Sequence, residues 1–245
     1  MSLHENARTL ARLIDGARSV VFLGGAGVST ESGIPDFRGS GGLYTEQSKI
    51  PPEVILSHTF FFGHTEEFYD FYRSKMLFPD AKPNAAHRAL AELERRGKLS
   101  AVLTQNIDGL HQAAGSREVV ELHGSVLRNY CTRCRKSYPL SFVSESKGVP
   151  HCPACGGTVK PDVVLYEEPL SDSDIDRAIR FLENADLLIV GGTSLTVNPA
   201  AGLVNWFSGG PLVIVNKSET PYDRRADYLF RDPVGELLGE AVFGS

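Results

Sequence analysis

The chain has 245 residues, 42% hydrophobic and 22% charged, with a formal net charge of −5. A chain of this length buries about 70–75% of its unfolded surface and needs no external staple, and an acidic balance with no Lys/Arg block argues against nucleic acid as a partner. The N-terminal MSLHENARTLARLIDGARS scatters charges among its apolar positions, unlike a signal peptide, and no apolar run approaches the ~18–20 residues of a membrane span. A soluble, cytoplasmic protein without a membrane partner is expected. Nothing in the sequence sets the oligomeric state, and a monomer is compatible with it.

In chain order, the stretch up to Gly16 places Leu10, Leu13 and Ile14 on one helical face. SVVFLGG (19–25) reads as a buried strand that delivers the chain into GAGVSTESGIPDFRG. This loop opens like a phosphate-binding turn. Gly25 and Gly27 fit the first two positions of the dinucleotide pattern G-x-G-x-x-G, but Thr30 occupies the third, and the Walker lysine is missing. Residues 40–81 contain SHTFFFGHTEEFYDFYRSKMLF, aromatic-rich and helical in pattern. PNAAHRALAELERRG starts at Pro83 and stops at Gly97, a helix with both of its usual boundary residues. SAVLTQN (100–106) and EVVELHG (118–124) are strands, SDSDIDRAIRFLENA is a capped helix, and ADLLIVGG (185–192) and PLVIVN (211–216) are the last strands.

These strands are rich in Val, Ile and Leu and barely alternate with polar residues, as in parallel strands buried on both faces. The alternation of strand and helix predicts an α/β fold: a Rossmann-like parallel sheet with helices on both faces. Residues 40–81 and 125–160 interrupt the rhythm. They predict a small domain built from a helical insertion and a zinc-binding module, leaving 1–39, 82–124 and 161–245 for the large domain. A cleft between the two, beyond the carboxyl ends of the strands, is the expected ligand site.

All four cysteines fall into two C-x2-C pairs, Cys131/Cys134 and Cys152/Cys155, with 17 residues between the pairs. That is the spacing of a zinc site in which two tight turns each present two sulfurs to one ion. Two disulfides are the alternative, disfavoured in a chain with cytosolic character. Four thiolates leave no open coordination position, so the zinc is expected to be structural.

Polar residues collect at the ends of successive strands: Gln105, Asn106, Asp108 and His111 in TQNIDGLH, His123 in HGS, Gly192, Thr193 and Ser194 in GGTSL, and Asn216 in NKSETP. Each alone has a plain reading. Asn and Asp after a strand form turns, and a lone His is often a hydrogen-bonded core residue. Taken together, the clusters offer the amides, hydroxyls and carboxylate that a dinucleotide requires.

GAGVSTESGIPDFRG, TQNIDGLH, HGS, the four cysteines, GGTSL and VN occur in the order found in sirtuins, the NAD-dependent protein lysine deacylases, and the chain resembles that family from about residue 8 to 240. The resemblance implies an inverted Rossmann-like fold that holds NAD extended across the cleft, with Gly25, Ala26, Gly27 and Thr30 at the pyrophosphate. It implies that Phe37 covers the nicotinamide ribose, although core packing is the plain alternative, and that Asp36 and Arg38 order this loop. Asn106, Ile107 and Asp108 would hold the nicotinamide carboxamide, and Gln105 the ribose hydroxyls. Gly192, Thr193 and Ser194 would contact phosphate or ribose, and Asn216 the adenosine ribose. The catalytic set would be His123 as general base with Asn106 and Asp108. NAD would be consumed to nicotinamide, O-acetyl-ADP-ribose and free lysine. Mono-ADP-ribosyl transfer on the same scaffold is an alternative, and an NAD-sensing zinc-ribbon module is another.

The same resemblance implies that acetylated lysines enter as extended peptides between KPDVVLYEE (160–168), through Val163, Val164, Leu165 and Tyr166, and LTVNPA (195–200), through Val197. Here the chain departs from the family. It reads YEE where FGE is expected, which places Glu167 at a glycine position and suggests a preference for basic flanks. Sirtuins that take succinyl or malonyl groups carry Tyr-x-x-Arg in the acyl pocket. This chain has Tyr69 and Tyr72, with Arg73 one position off, so uncharged acyl groups are expected.

Overall fold

The computed structural model describes residues 2–37, 42 and 50–244. Helix α1 (Leu3–Gly16) starts in a capping box: Ser2 Oγ accepts from the Glu5 amide, and the Glu5 carboxylate accepts from the Ser2 amide at 2.7 Å. It buries Ala7, Leu10 and Ile14, with Leu13 packed at the edge of the same face. Strand β1 (Val20–Gly24) is buried along its whole length and runs into two 3-10 turns, Ala26–Val28 and Thr30–Ser32. The aromatic-rich segment forms α2 (Pro52–Ile55), α3 (His58–Gly63) and α4 (Thr65–Lys75). Next come α5 (Ala85–Arg95), β2 (Leu99–Thr104), α6 (Leu110–Ala113) and β3 (Val119–Glu121).

The chain then leaves the main sheet. Strand β4 (Gly124–Cys131) pairs antiparallel with β5 (Ser137–Pro139), which leads into α7 (Leu140–Ser144), and with β6 (Val159–Val163) on its other side. It returns through α8 (Asp172–Asn184), β7 (Leu187–Gly191), β8 (Leu212–Val215), β9 (Tyr228–Phe230) and α9 (Val234–Phe243).

The large sheet has the order β3-β2-β1-β7-β8-β9 and is parallel throughout. The chain works outward from β1 to β3 and then crosses back to β7, so strand order reverses between β1 and β7. Such a reversal opens a crevice at the carboxyl ends of the strands. Strand residues divide between two cores. Val20, Phe22, Val102 and Ile189 pack under α1, α5 and α9, while Val21, Leu23, Leu103 and Val190 pack under α8 and the 3-10 segment Ala200–Trp206. A third core joins α3, α4 and the small sheet through Phe61, Phe68, Tyr69, Tyr72, Cys131, Cys152 and Val163. No described helix is long and apolar enough to cross a membrane.

Three differences from the sequence reading have physical causes. The strand expected over 118–124 splits at Leu122–His123, because Gly124 takes φ +75° and a Cβ there would lie 2.0 Å from the Asp162 carbonyl oxygen. The small sheet was not anticipated: β4 has an irregular register between Ser125 and Asn129 and shows no clean alternation. Strand β9 and helix α9 also lay outside the expectation. The first is three residues long with Tyr228 and Leu229 exposed, and the second carries two internal glycines that weaken a helical pattern.

Candidate active site

Two glycine turns meet where the strand order reverses. The Gly25 amide donates to the Gly191 carbonyl at 3.2 Å, and the Gly27 amide to the Gly192 carbonyl at 2.8 Å. A Cβ on Gly27 would approach the Gly192 Cα to 2.8 Å, and one on Gly192, at φ +60°, would lie 2.4 Å from the Val28 nitrogen. These glycines therefore serve the close approach of two backbones. Inside the turn, Thr30 Oγ1 donates to the Gly27 carbonyl at 3.0 Å, while the Ala26 amide donates to no described residue.

The end of β2 brings TQNIDGLH to the same place. Buried Ser29 is its hub. Its Oγ donates to Asp108 Oδ2 at 2.7 Å and accepts from Asn106 Nδ2 at 3.0 Å. The Leu110 amide donates to Asp108 Oδ1 at 2.8 Å. Burial nevertheless outweighs these bonds and pushes the Asp108 carboxyl above its ordinary range. Gln105 Nε2 donates to Thr193 Oγ1 at 3.2 Å, tying this loop to the β7 turn, where Ser194 Oγ lies 2.8 Å from Thr196 Oγ1. Asn216 stands one strand further along, at the end of β8, with Nδ2 donating to the Ser218 carbonyl at 2.9 Å.

His123 occupies the two-residue link between β3 of the large sheet and β4 of the small one, so it sits on the seam. Its Nδ1 is 2.9 Å from the Gln105 carbonyl oxygen. A carbonyl only accepts, so Nδ1 carries the proton and the neutral ring keeps a lone pair on Nε2. Burial lowers the His123 pKa, and the bond to Gln105 only partly opposes that shift.

The remaining expected residues divide by location. Half-buried Phe37 and Ile107 both pack against the third core, which also includes Val163 and Leu165. Asp36 is half-buried, and Arg38 lies outside the described residues. The Val164 amide donates to the His123 carbonyl at 3.0 Å, so the segment 163–166 runs alongside the link that carries the histidine. Tyr166 is exposed and Val197 half-buried. Tyr69 and Tyr72 are wholly buried in the third core. The Tyr69 hydroxyl donates to the Val159 carbonyl, the Tyr72 hydroxyl has no partner among the described residues, and burial raises the pKa of both. Arg73 lies with its guanidinium carbon 5.1 Å from the centre of the Tyr69 ring, and it donates to the Val143 carbonyl at 3.2 Å, Ser146 Oγ at 3.1 Å and the Gly148 carbonyl.

The four cysteines come together without forming a disulfide. Cys131 Sγ lies 3.5 Å from Cys155 Sγ, Cys134 Sγ lies 3.6 Å from Cys152 Sγ, and all four sulfurs fall within 4.8 Å of one another. A zinc–thiolate tetrahedron with bonds of about 2.3 Å has edges of about 3.8 Å, so the cluster fits that ion. The Arg133 and Cys134 amides donate to Cys131 Sγ, as suits a thiolate.

Two residues of the site were not singled out from the sequence. Ser29 was read only as part of its loop. Asn84 caps α5, accepting from the Ala86 amide, and its Nδ2 also donates to the Val28 carbonyl at 2.7 Å and to Ser32 Oγ at 3.0 Å, bracing the 3-10 turns. Ser29→Ala is expected to leave Asn106 Nδ2 and Asp108 Oδ2 without their partner, at a cost of about 1–3 kcal/mol. Steady-state kinetics should show kcat/KM reduced about 10- to 100-fold, with the melting temperature lowered by about 2–12 °C. Unchanged kinetics would mean the hub is dispensable.

A parallel sheet with a glycine-lined crevice at its strand reversal, a half-buried amide–hydroxyl–carboxylate chain and a histidine on the seam mark an α/β nucleotide-binding enzyme, with four thiols placed to hold a structural metal. The Sir2 family profile matches residues 25–199. A Clostridium tetani protein named NAD-dependent protein deacetylase is 56% identical over 241 residues, covering 97% of this chain and 98% of that one. A Cutibacterium acnes protein of the same name is 56% identical over 231 residues, covering 94% of each. Among solved structures, a Sir2 protein with a His-to-Ala substitution, in complex with deacetylated p53 peptide and 3′-O-acetyl-ADP-ribose, superposes with a TM-score of 0.89 at 43% identity, covering 100% of this chain and 98% of its own. A Sir2 complex with p53 peptide and NAD+ gives 0.84 at 42% identity, covering 97% and 96%. The chain belongs to the Sir2 family.

Proposed function

We propose that this protein is an NAD-dependent protein lysine deacetylase that uses NAD as co-substrate and acetylated lysines in extended peptides as substrate, in the cytoplasm. The observation that carries the reading is the Asn106–Ser29–Asp108 chain lying next in sequence to Gln105, whose carbonyl fixes the tautomer of His123. The names of the relatives carry deacetylation rather than ADP-ribosyl transfer. In this reading residues 40–81 and 125–160 form a small domain over the large one, and the seam between them is the cleft.

The residues fit the ligand. The Ala26 amide, which has no partner among the described residues, and the Gly25–Gly27 turn, with Thr30 nearby, suit phosphate oxygens. Thr193 and Ser194 at the Gly192 turn suit phosphate or ribose, and Asn216 suits the adenosine ribose. Bound NAD supplies an electrophilic ribose carbon once its nicotinamide bond breaks. The chain's part is to hold, orient and deprotonate. Asn106 and Asp108 hold the nicotinamide carboxamide in one orientation, with Ile107 and Phe37 excluding water and Asp36 and Arg38 ordering the loop. His123 takes a ribose hydroxyl proton on Nε2, and Gln105 keeps its ring in place. The peptide lies against Val163–Tyr166 and Val197.

Mass spectrometry of an acetyl-lysine peptide with and without NAD tests the reading. The expected result is loss of one acetyl group only when NAD is present, with O-acetyl-ADP-ribose formed in equal amount. ADP-ribose retained on protein with the acetyl group intact would overturn it. Acyl choice is read from Tyr72, which stands where the succinyl-type pattern has arginine, and from Arg73, whose guanidinium donates to the 143–148 segment. A succinyl peptide is expected to turn over at least about 10-fold more slowly than its acetyl counterpart, since a buried carboxylate without a partner is heavily penalised. Equal rates in a competition assay would count against this assignment.

A further inference from the structure

Glu167 stands where the family resemblance leads one to expect glycine, and its backbone keeps a glycine-like conformation, φ +74°. Residues with a Cβ are disfavoured there. The side chain holds the turn in place. Glu167 Oε2 accepts from the Thr59 amide at 2.9 Å and from Thr59 Oγ1 at 2.7 Å, at the start of α3. These bonds hold the Glu167 carboxyl below its ordinary pKa. The next residue is anchored as well. Glu168 Oε2 accepts from the Leu165 amide at 2.9 Å and from Lys160 Nζ at 3.1 Å, and that lysine, on β6, is only 3% exposed. Glu168 Oε1 lies 2.9 Å from His58 Nδ1. The preceding residue, Tyr166, pairs with the stretch that leads into α3, its amide donating to the Leu56 carbonyl and its carbonyl accepting from the His58 amide, both at 2.9 Å.

We propose that Glu167 is a positioning residue whose carboxylate latches the 165–168 turn onto α3 and so presets the seat of the acyl-lysine peptide before substrate arrives. The proposal rests on the deacetylase reading for its ligand. Its physical basis is the geometry of the turn: a left-handed residue anchored by two hydrogen bonds beside the segment the peptide is read to line. Glycine at 167 would relieve the local strain but free the turn, and binding would then have to order it. The sequence suggested a different use, attraction of basic flanks by a free carboxylate. The bonds to Thr59 give the carboxylate a structural partner as well.

The test is steady-state kinetics of wild type, Glu167→Gly, Glu167→Gln and Thr59→Val, each with a basic-flanked and an acidic-flanked acetyl peptide. Glu167→Gly is expected to raise the peptide KM about 3- to 10-fold, the scale of one charge-assisted hydrogen bond, for both peptides alike. The NAD KM and kcat should stay within about 2-fold, as a local effect on the peptide seat requires. Glu167→Gln keeps an acceptor oxygen and should rescue most of the loss. Thr59→Val should give part of it, and the double variant with Glu167→Gly should show non-additivity. An unchanged peptide KM in Glu167→Gly would overturn the latch. So would Gln behaving like Gly, with the loss confined to the basic-flanked peptide, because the carboxylate would then be acting as a charge on the substrate. Hydrogen exchange in the ligand-free protein reads the latch independently of activity. Faster exchange over residues 56–60 and 164–168 in Glu167→Gly supports it even if the wild type proves inactive on acetyl peptides, and unchanged exchange sinks it.

Discussion

Replacing His123 with alanine is expected to lower deacetylation about 10²- to 10⁴-fold, the usual worth of a positioned general base, while the KM for NAD changes little. The reason lies in the link between β3 and β4. The Gln105 carbonyl holds the Nδ1 proton, so the base is Nε2, and Ala removes it without touching the Ser29 hub. The pH profile carries the second half of the argument. Burial depresses the His123 pKa, and a base must be unprotonated to act. Activity should therefore rise with pH through a point below about 6.5, the unperturbed histidine value, and lie flat above it. Near neutral pH the ring is already in its working form. An acid limb centred above that value, or residual activity in His123→Ala within a few-fold of wild type, would remove His123 from the base role.

Acid unfolding must be separated from that limb. His87 and His111 are wholly buried 4.7 Å apart, beneath the Asn84 brace, and burial pushes them down to about 4 and about 3. Each binds a proton more readily unfolded than folded. The stability they allow is fully present above about 6.5 and is lost as pH falls toward those values. A melting curve recorded in parallel with the rate distinguishes the two. Over the range where His123 titrates, the protein should still melt cooperatively.

Much of this arrangement is legible in the sequence because the large sheet is buried on both faces. Every residue of β1 and β7 is buried, so an unbroken apolar run is what the fold demands there. The polar residues that follow such runs lie at strand ends, which puts Gln105 to Asp108 and Thr193 in one place. The cysteine spacing is equally direct, because ligating one ion requires two short turns. What stays hidden depends on contacts between distant segments. Ser29 is one small polar residue in a loop of several, and only folding shows that it joins Asn106 to Asp108 across almost eighty positions. His123 looks like the end of a strand, yet it lies in a hinge between sheets that Gly124 creates. Tyr69 and Tyr72 share a helical face at i, i+3, a spacing that suits a pocket wall and a core equally, and packing decides how deeply they sit. Glu167 looks like a substitution and turns out to carry a backbone conformation.

Removing the metal is expected to have the largest effect on stability. The protein should bind one zinc per chain by elemental analysis, and stripping it with a strong chelator, or Cys152→Ser, should disorganise the third core. Cys131 and Cys152 are buried members of that core and share it with Val143, Val159 and the aromatic rings of α4. Structural zinc contributes about 10–16 kcal/mol to the folding of small zinc-finger peptides. Even about 5 kcal/mol lost here would lower the melting temperature by about 10–20 °C in a chain of this size. Activity should fall with it although the cluster is not catalytic, because the single strand β4, irregular in register between Ser125 and Asn129, leads from Gly124, the neighbour of His123, to Cys131. Unravelling the ribbon releases the strand that fixes the histidine at its other end. The role of the metal can be separated from chemistry by substitution. Four thiolates saturate a tetrahedral ion, leaving no site for water or substrate, so enzyme reconstituted with cadmium should keep kcat within about 2-fold of the zinc form. A large change in kcat on exchange would mean the metal touches the reaction, and full stability and activity after complete stripping would mean the four cysteines hold the ribbon without it.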